Sequence, residues 1–532
     1  MIPNQQGTEL KSISIDGDSL TIPQVFEVAN RTTSISLSPK ARKQIQRART
    51  LVEDWIRSGE TVYGVTTGFG EFANVRIESK DTEKLQENLI KSHAAGAGEP
   101  MPPEAVRAMM VLRINAVAKG YSGLRFETVN LLKEMLNKDI LPVIPSQGSV
   151  GASGDLVQLS HLVLAMMGQG RVYDSAKGKT HKERIIGSDI ALQRNGLKPV
   201  KLTAKEGLAL INGTQMMTAF GCLVVHQARQ LAKIADIAAA ISVEALRGSD
   251  TPFDKRIHQL RPYKGQQDVA SNLRRLMAGS KLRESHRFND TRVQDAYSMR
   301  CIPQVHGASR DAIEYAYDKV NVEINSANDN PLIFPEDRIH LEGGNFHGQP
   351  IALAMDFIAI ALSELANISE RRTERLVNGS LSGLPKFLTK QGGLNSGLMI
   401  AQYTAASIVS ENKVLCHPAS VDSIPTSANQ EDHNSMGSIS AQKAAKVLRN
   451  AQTVLAIELL CSSQGLDFAR SMNTDTALKA GTGVEAAYRE VRRHIEYLDE
   501  DRVLYDDIQR SLSLVHDGSI IRSVEAAVGE LR

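Results

Sequence analysis

Aromatic side chains are scarce. Phe, Trp and Tyr make up 5% of the 532 residues, while hydrophobic residues make up 42%. A core drawn from that pool is aliphatic, and the ratio fits a soluble helical protein rich in Ala and Leu. Cysteine is nearly missing. Cys222, Cys301, Cys416 and Cys461 are scattered, with neither metal-ligand spacing nor a disulfide framework, which suits a reducing cytoplasm. No charge of one sign dominates: 62 Lys+Arg against 60 Asp+Glu leave a formal net charge of +2. This gives no electrostatic case for nucleic acid or a membrane surface. Long uninterrupted apolar runs are also lacking. The most apolar segment, 351–368, contains Asp356 and Glu364 and reads as a buried helix of a soluble bundle, not a bilayer span. Met1-Ile2-Pro3-Asn4-Gln5-Gln6 has no basic region followed by an apolar stretch, so no signal peptide is expected.

The chain is long enough for a large core and two or three subdomains. Ser12-Ile13-Ser14-Ile15 alternates like a short strand before an Asp16-Gly17 turn. A helix is predicted from Ser38 as N-cap and Pro39 at N1 to about Gly59. Helical patterns follow at 82–95, 103–119 and 126–137, and after Asp155 to about Gly168. Arg171-Val172-Tyr173 reads as a short strand, and 174–197 as an irregular surface excursion. Residues 205–246 read as one strongly helical stretch with Asn212-Gly213-Thr214 inside it, and the region from 249 to 291 as charged and loop-rich. Further helices are predicted at 311–321, 349–376, 402–413, 438–461 and 483–498, and from 506 onward, with a small hairpin around Pro335-Glu336-Asp337. The sum is a mainly α protein with a long-helix bundle core. We expect a mixed, mostly helical N-terminal domain (1–200), a central long-helix bundle (201–470) and a C-terminal helical segment (471–532).

Small residues crowd one place. Gly148, Gly151, Ala152, Ser153 and Gly154 fall within seven positions, followed by Asp155 and an apolar run from Leu156. As local structure this is a turn entering a helix, with Ser153 or Asp155 as N-cap. The density of small side chains further lets the backbone pack tightly and take strained dihedrals. Ser153 fits poorly as a nucleophile, because Gly-Ala-Ser-Gly lacks the second glycine spacing of a nucleophile elbow and no strand clearly precedes it. In a sharp turn, however, the Gly154 nitrogen can approach the Ala152 carbonyl. Ring closure and loss of two waters would then turn Ser153 into an electron-poor alkene.

Other motifs have plain readings of their own. Tyr63-Gly64-Val65-Thr66-Thr67-Gly68-Phe69-Gly70 is a loop that can move or approach a ligand closely. Ser92-His93 ends a helical pattern, where a histidine is often a cap. Asn212 is a polar residue in an apolar helix. Gln294, Tyr297 and Arg300 belong to a dense polar set. Asn325-Ser326-Ala327-Asn328-Asp329-Asn330 and Gly343-Gly344-Asn345-Phe346-His347-Gly348 have the composition of turns. In the polar loop 417–433, Asp432 and His433 could suggest a metal, but no second cluster at ligand spacing accompanies them and none is expected.

Ala152-Ser153-Gly154 followed by Asp155-Leu156, with the other motifs in this order, resembles the aromatic amino-acid ammonia-lyases and aminomutases. The resemblance runs from about residue 10 to beyond 500. It implies a fumarase/aspartase-like helical architecture and a built-in electrophile, 4-methylideneimidazole-5-one, formed autocatalytically from Ala152, Ser153 and Gly154 with no external cofactor. It also implies a homotetramer whose active sites are shared between subunits. In the resemblance Tyr63 is the base on a lid loop. A free tyrosine titrates at roughly pH 10, so it must be tuned by cationic or dipolar neighbours. Arg300 becomes the clamp for the substrate carboxylate, which suits its bidentate fork. Asn212 bonds the electrophile and the substrate, Asp155 and Phe346 stand beside the electrophile, Tyr297 and Gln294 line the pocket, and Ser92 and His93 lie at the substrate's side chain.

Asn429-Gln430-Glu431-Asp432-His433 matches the histidine branch, where tyrosine and phenylalanine enzymes read Asn-Gln-Asp. An imidazole needs polar partners, and a site supplying them rejects analogues that lack them. Glu431 can accept from an imidazole N–H or from the amine, His93 can bind the ring's other nitrogen, and Gln430 stands with them. The implied activity is loss of ammonia from L-histidine to give trans-urocanate. The departures Val157-Gln158, Asn325 to Asn330 and Asn434 keep a tyrosine or phenylalanine ammonia-lyase, or an aminomutase, as alternatives. A catalytically silent helical scaffold would be expected to lose Tyr63, Ser153 or Arg300, and all are present.

Overall fold

The computed structural model describes residues 11–65, 67, 81–174, 185–288, 290, 292–472 and 478–532. The protein is mainly α, with four two-stranded sheets among the described residues. Its contacts divide it into two compact units, residues 1–226, 317–356 and 418–442 in the first and residues 227–316, 357–417 and 443–532 in the second. The long helices Gln215–Ala245, Ile302–Glu323, Gln349–Val377 and Gly437–Ser471 each have residues in both.

The first unit is built around the helix Pro103–Ala118. It is apolar on all sides, and every residue from Ala105 to Ala118 is buried, as a helix without a polar face must be. Two of its three buried polar residues, Asn115 and Arg113, pin the chain around it. Asn115 Nδ2 donates to the Ile324 carbonyl (2.8 Å), and its Oδ1 accepts from the Gly17 N–H (3.1 Å). Arg113 Nη1 donates to the Asn212 carbonyl (3.0 Å) and to Gln215 Oε1 (2.9 Å).

Ser12–Ile15 pairs in parallel with Ser34–Leu37, joined through the helix Ile22–Ala29, which a Thr21–Gln24 capping box starts. The helix Pro39–Ser58 has the predicted start: Ser38 Oγ accepts from the Ala41 N–H, and Gly59 closes the other end in the left-handed region. The helices Thr82–His93, Leu156–Met166 and Glu206–Ile211 pack on one another. The hairpin Leu332–Phe334 with Ile339–Leu341 forms as expected.

Three expectations are corrected. The stretch 205–246 is not one helix: it breaks at Asn212–Thr214 into Glu206–Ile211 and Gln215–Ala245. The excursion after Asp174 is not irregular throughout, since Ile185–Gly187 pairs with Arg171–Tyr173 and the helix Ser188–Arg194 follows. The charged region before 291 contains the helix Lys264–Leu276, which buries Val269, Ala270, Leu273 and Leu276 along one face. Its Gln and Arg residues mask that stripe in a composition count.

The second unit packs long helices around polar contacts. Arg372 Nη2 donates to Glu458 Oε2 (2.8 Å), and both side chains are fully buried. Asp236 accepts from His306 Nδ1 (2.8 Å), Arg310 Nη2 (2.6 Å) and Asn272 Nδ2 (2.9 Å). A buried carboxylate with this many donors stays charged, and the Arg310 and His306 side chains hold Asp236 below its usual range against the cost of burial.

Candidate active site

The break at Asn212–Thr214 is where the first unit meets the small-residue turn. Gly154 and Gly213 form a parallel bridge, and the Asp155 N–H donates to the Gly213 carbonyl (2.7 Å). Gly154 has φ +73°, and a side chain there would run into the Gly213 carbonyl, so both the dihedral and the approach demand glycine. The other side of the turn is held by the segment before Gly437. Ser435 Oγ donates to the Gly151 carbonyl (2.9 Å), and the Met436 N–H to that of Val150 (2.8 Å).

Asp155 precedes the helix Leu156–Met166 but makes no side-chain cap to it. Its carboxylate serves a different helix. Oδ2 accepts from the Met216 and Met217 N–H groups (2.8 and 3.0 Å), at the start of Gln215–Ala245, and Oδ1 accepts from Ser438 Oγ (2.7 Å). Complete burial pushes the Asp155 carboxyl up to about 6, against the pull of these donors. Ser153 does not act as an N-cap either. Its hydroxyl donates to Glu431 Oε1 (2.8 Å), and its carbonyl accepts from Asn212 Nδ2 (3.0 Å).

Ser153 and Ala152 open on a cavity of about 560 Å³. Tyr63, His93, Asn212, Phe346, Gln430 and Glu431 line it too, over an apolar floor of Leu89, Leu156, Leu208 and Ile211. Ser92 is not among its lining residues. Its hydroxyl is turned to the Leu89 carbonyl (3.0 Å) and to His93 Nδ1 (3.0 Å). His93 Nδ1 lies 2.9 Å from that same carbonyl. A carbonyl can only accept, so Nδ1 carries the hydrogen and Nε2 is left as an acceptor in the neutral ring. Burial holds His93 below the usual histidine range, opposed by the Leu89 carbonyl and the Glu431 charge. At neutral pH the cavity thus carries two acceptors of N–H groups, His93 Nε2 and the Glu431 carboxylate, beside Ser153.

The family model for aromatic amino acid lyases matches residues 20–493. The chain belongs to the aromatic amino acid lyase family. A histidine ammonia-lyase of Alkaliphilus oremlandii is 53% identical over 519 residues, covering 98% of this chain and 99% of that one. The crystal structure of histidine ammonia-lyase from Trypanosoma cruzi superposes with a TM-score of 0.89 at 44% identity, covering 97% of this chain and 96% of that one. A tyrosine aminomutase from Streptomyces globisporus gives 0.90 at 38% identity, covering 98% and 100%. The helical architecture is the fumarase/aspartase-like one that the sequence led us to expect.

Within this member of the family, the remaining candidate residues separate. Gln294, Tyr297 and Arg300 belong to the second unit and stand outside the set of side chains that line the cavity of the first. Tyr297 is 72% exposed, and the Arg300 guanidinium lies over its ring at 4.6 Å. In the expected lid, Thr66, Gly68, Phe69 and Gly70 lie outside the described residues, while Tyr63 is described and half-buried. Of Asn325 to Asn330, Asn330 reaches the cavity lining. Asn328 bonds Thr214 and Gln215 and so braces the Gly213 turn, whereas Asn325 bonds Leu20 and Asn115.

Sequence reasoning missed His347, which lines the cavity with its ring parallel to that of His433 (5.8 Å) and its Nε2 3.1 Å from the His433 carbonyl. It also missed Leu208 and Ile211, whose three-residue spacing before Asn212 is a helical stripe facing one way. Among the described residues no cluster of His, Cys, Asp and Glu is arranged to hold a metal ion.

Proposed function

We propose that this chain is a carbon–nitrogen lyase that eliminates ammonia from L-histidine to give trans-urocanate, acting in the cytoplasm as a homotetramer. The observation that carries the reading is the pair of acceptors, His93 Nε2 and the Glu431 carboxylate, on the cavity that Ser153 opens into. A phenyl side chain offers no donor, and its binding would desolvate His93 Nε2 without a partner. An imidazole N–H and the amine match them. The names of relatives about half identical over nearly the full length support the same substrate.

Cyclised and dehydrated, Ala152-Ser153-Gly154 would supply 4-methylideneimidazole-5-one, an electrophile for the substrate's amine. The surroundings fit that group. The Gly154–Gly213 contact admits no side chain, Asn212 holds the Ser153 carbonyl, and the turn is clamped on both faces. The chain's own residues do the rest. Tyr63 takes the β-proton from the substrate, and Asn212 and Gln430 bind it in the cavity. The Met216 and Met217 N–H groups at the start of Gln215–Ala245 are spent on the Asp155 carboxylate and fix its position beside the turn. In this reading the homotetramer completes the site: Gln294, Tyr297 and the carboxylate clamp Arg300 come from a neighbouring copy.

The test is incubation with L-histidine, with urocanate followed by its absorbance, together with the intact mass of the protein. Urocanate and a chain lighter by two waters are expected. Cinnamate or coumarate from phenylalanine or tyrosine, with no product from histidine, would overturn the substrate, and a β-amino acid product would identify an aminomutase.

A further inference from the structure

Glu431 follows a turn whose own backbone bonds run from the Asn429 N–H to the Thr426 carbonyl (3.1 Å) and from the Gln430 N–H to the Ser427 carbonyl (3.0 Å). Ser427, Ala428 and Asn429, immediately before Gln430 and Glu431, all have positive φ (51°, 53° and 68°). None is glycine, so three consecutive residues occupy a region that side chains disfavour. Those two bonds shape the turn but do not reach the Glu431 side chain. The structure offers Thr426 and Asn434. Thr426 pairs with Glu431 through the backbone in both directions, its N–H donating to the Glu431 carbonyl (3.0 Å) and its carbonyl accepting from the Glu431 N–H (3.3 Å). Its hydroxyl donates to Glu431 Oε2 (2.6 Å). That leaves Oε1 for Ser153. Behind Thr426 lies Asn434, fully buried, whose side-chain amide donates to the Ile424 carbonyl and to Thr426 Oγ1 (3.4 Å) and whose N–H donates to Ser423 Oγ (2.9 Å). Resemblance to the family leads one to expect a small or apolar residue at this position. The polar side chain has a use here, because it ties together both ends of the strained turn.

We infer that Thr426, seconded by Asn434, is a positioning residue that locks the Glu431 carboxylate so that one oxygen is turned into the cavity and the other is spent on the loop. The carboxylate is then presented to a substrate N–H in one rotamer. A flexible Glu would have to lose that freedom at each binding event. The consequence for specificity rests on the histidine reading above; the lock itself does not.

The experiment uses the full-length protein and the variants Thr426→Val, Thr426→Ser, Asn434→Ala and Glu431→Gln, each first checked by intact mass for the same loss of two waters as the parent. With L-histidine, Thr426→Val should lower kcat/KM about ten- to a hundredfold, the scale of one hydrogen bond to a charged group, and Thr426→Ser should restore it to within about threefold. In the Glu431→Gln background, Thr426→Val should add less than about twofold, because the group it positions is already gone. A general loss of structure would instead multiply the two effects. Hydrogen exchange of the peptide spanning residues 424–434 gives a readout that needs no substrate: faster in Thr426→Val, parental in Thr426→Ser. Asn434→Ala should show the same change in milder form and serves if Thr426→Val fails to fold. Parental turnover in Thr426→Val, multiplicative effects with Glu431→Gln, or unchanged exchange would each overturn the lock. Absence of histidine turnover in the parent would overturn the substrate reading, and the exchange data would still decide the lock.

Discussion

Asp155 in the first unit and Glu244 in the second are both buried carboxyl groups that accept backbone N–H groups at the start of a helix to which they do not belong. Asp155 takes the Met216 and Met217 N–H groups and the Ser438 hydroxyl. Glu244 takes the Gly481 N–H ahead of the helix Thr482–His494, and the Ser280 hydroxyl. Burial pushes the first up to about 6 and the second up to about 8. Burial is the main cause in both and each has one like charge nearby, Glu323 or Glu485; Glu244 sets two donors against burial where Asp155 sets three. A search for site residues by perturbed titration alone would therefore choose Glu244 ahead of Asp155. What separates them is company. Asp155 follows Ser153 and Gly154 in the chain and is bonded to Gly213 through its own N–H, so its placement sets the turn on which Ser153 sits. Glu244 joins helices and does not line either of the two second-unit cavities around Arg310 and around Asp295.

Alanine at each position should make the contrast largest. Asp155→Ala is expected to cost about 2–4 kcal/mol of stability, from two uncapped N–H groups and a void. It should also cut turnover of L-histidine by roughly two orders of magnitude or more, since a misplaced reacting group is punished steeply. Glu244→Ala should cost about 1–3 kcal/mol by the same desolvation argument, with kcat of the folded enzyme within about twofold of the parent. Urea unfolding and steady-state rates on the same samples check both, and equal losses of activity would erase the distinction.

A smaller effect lies in the pH dependence of stability. Both groups have folded-state values raised above their ordinary ones, 3.8 for Asp155 and 4.5 for Glu244. The folded protein therefore holds these protons more tightly than the unfolded chain, and the stability they confer is present in full at low pH. It is lost as pH rises, between about 4 and 6 for Asp155 and between about 4.5 and 8 for Glu244, by on the order of a few kcal/mol each. Glu244→Gln should flatten the stability profile above pH 6, where Asp155 is already ionised. Asp155→Asn should flatten it only below. A Glu244→Gln profile that still falls from pH 6 to 8 as steeply as the parent's would show that some other group is responsible.

The same contrast marks what the sequence can and cannot reveal. Ala152-Ser153-Gly154 was legible because its chemistry depends on neighbours in the chain. So was the start of Pro39–Ser58, whose cap lies three residues from its donor. The break at Asn212–Thr214 was hidden, because its cause is Gly154, 59 residues upstream of Gly213 and bridged to it only in the fold. Asn212, Gly213 and Thr214 are poor helix formers, but the apolar periodicity on either side reads through them. The carboxylate of Asp155 was assigned to the nearest helix start, Leu156, when the one it caps begins some sixty residues on. Glu431 stood out by type, but the loop that aims it did not, since Ser427, Ala428 and Asn429 carry no sign of left-handed backbone in their identities. Arg300 stood out by motif, and it is not among the residues lining the cavity.

The finest form of the comparison is between adjacent residues, Ser92 and His93. His93 lines the cavity and presents Nε2, whereas Ser92 is exposed and reaches the cavity only through the hydrogen bonds it shares with Leu89 and His93 Nδ1. The Leu89 carbonyl already fixes the imidazole tautomer (2.9 Å), so the serine hydroxyl is a second support for an orientation that stands without it. Ser92→Ala should accordingly raise KM for L-histidine only about two- to fivefold, the low end of what a neutral exposed hydrogen bond contributes. His93→Leu removes an acceptor from a desolvated site and should cost at least a hundredfold, roughly, in kcat/KM. If Ser92→Ala were as damaging as His93→Leu, the hydroxyl would have to touch the substrate itself, which would require the end of the helix Thr82–His93 to turn its serine toward the cavity when substrate binds.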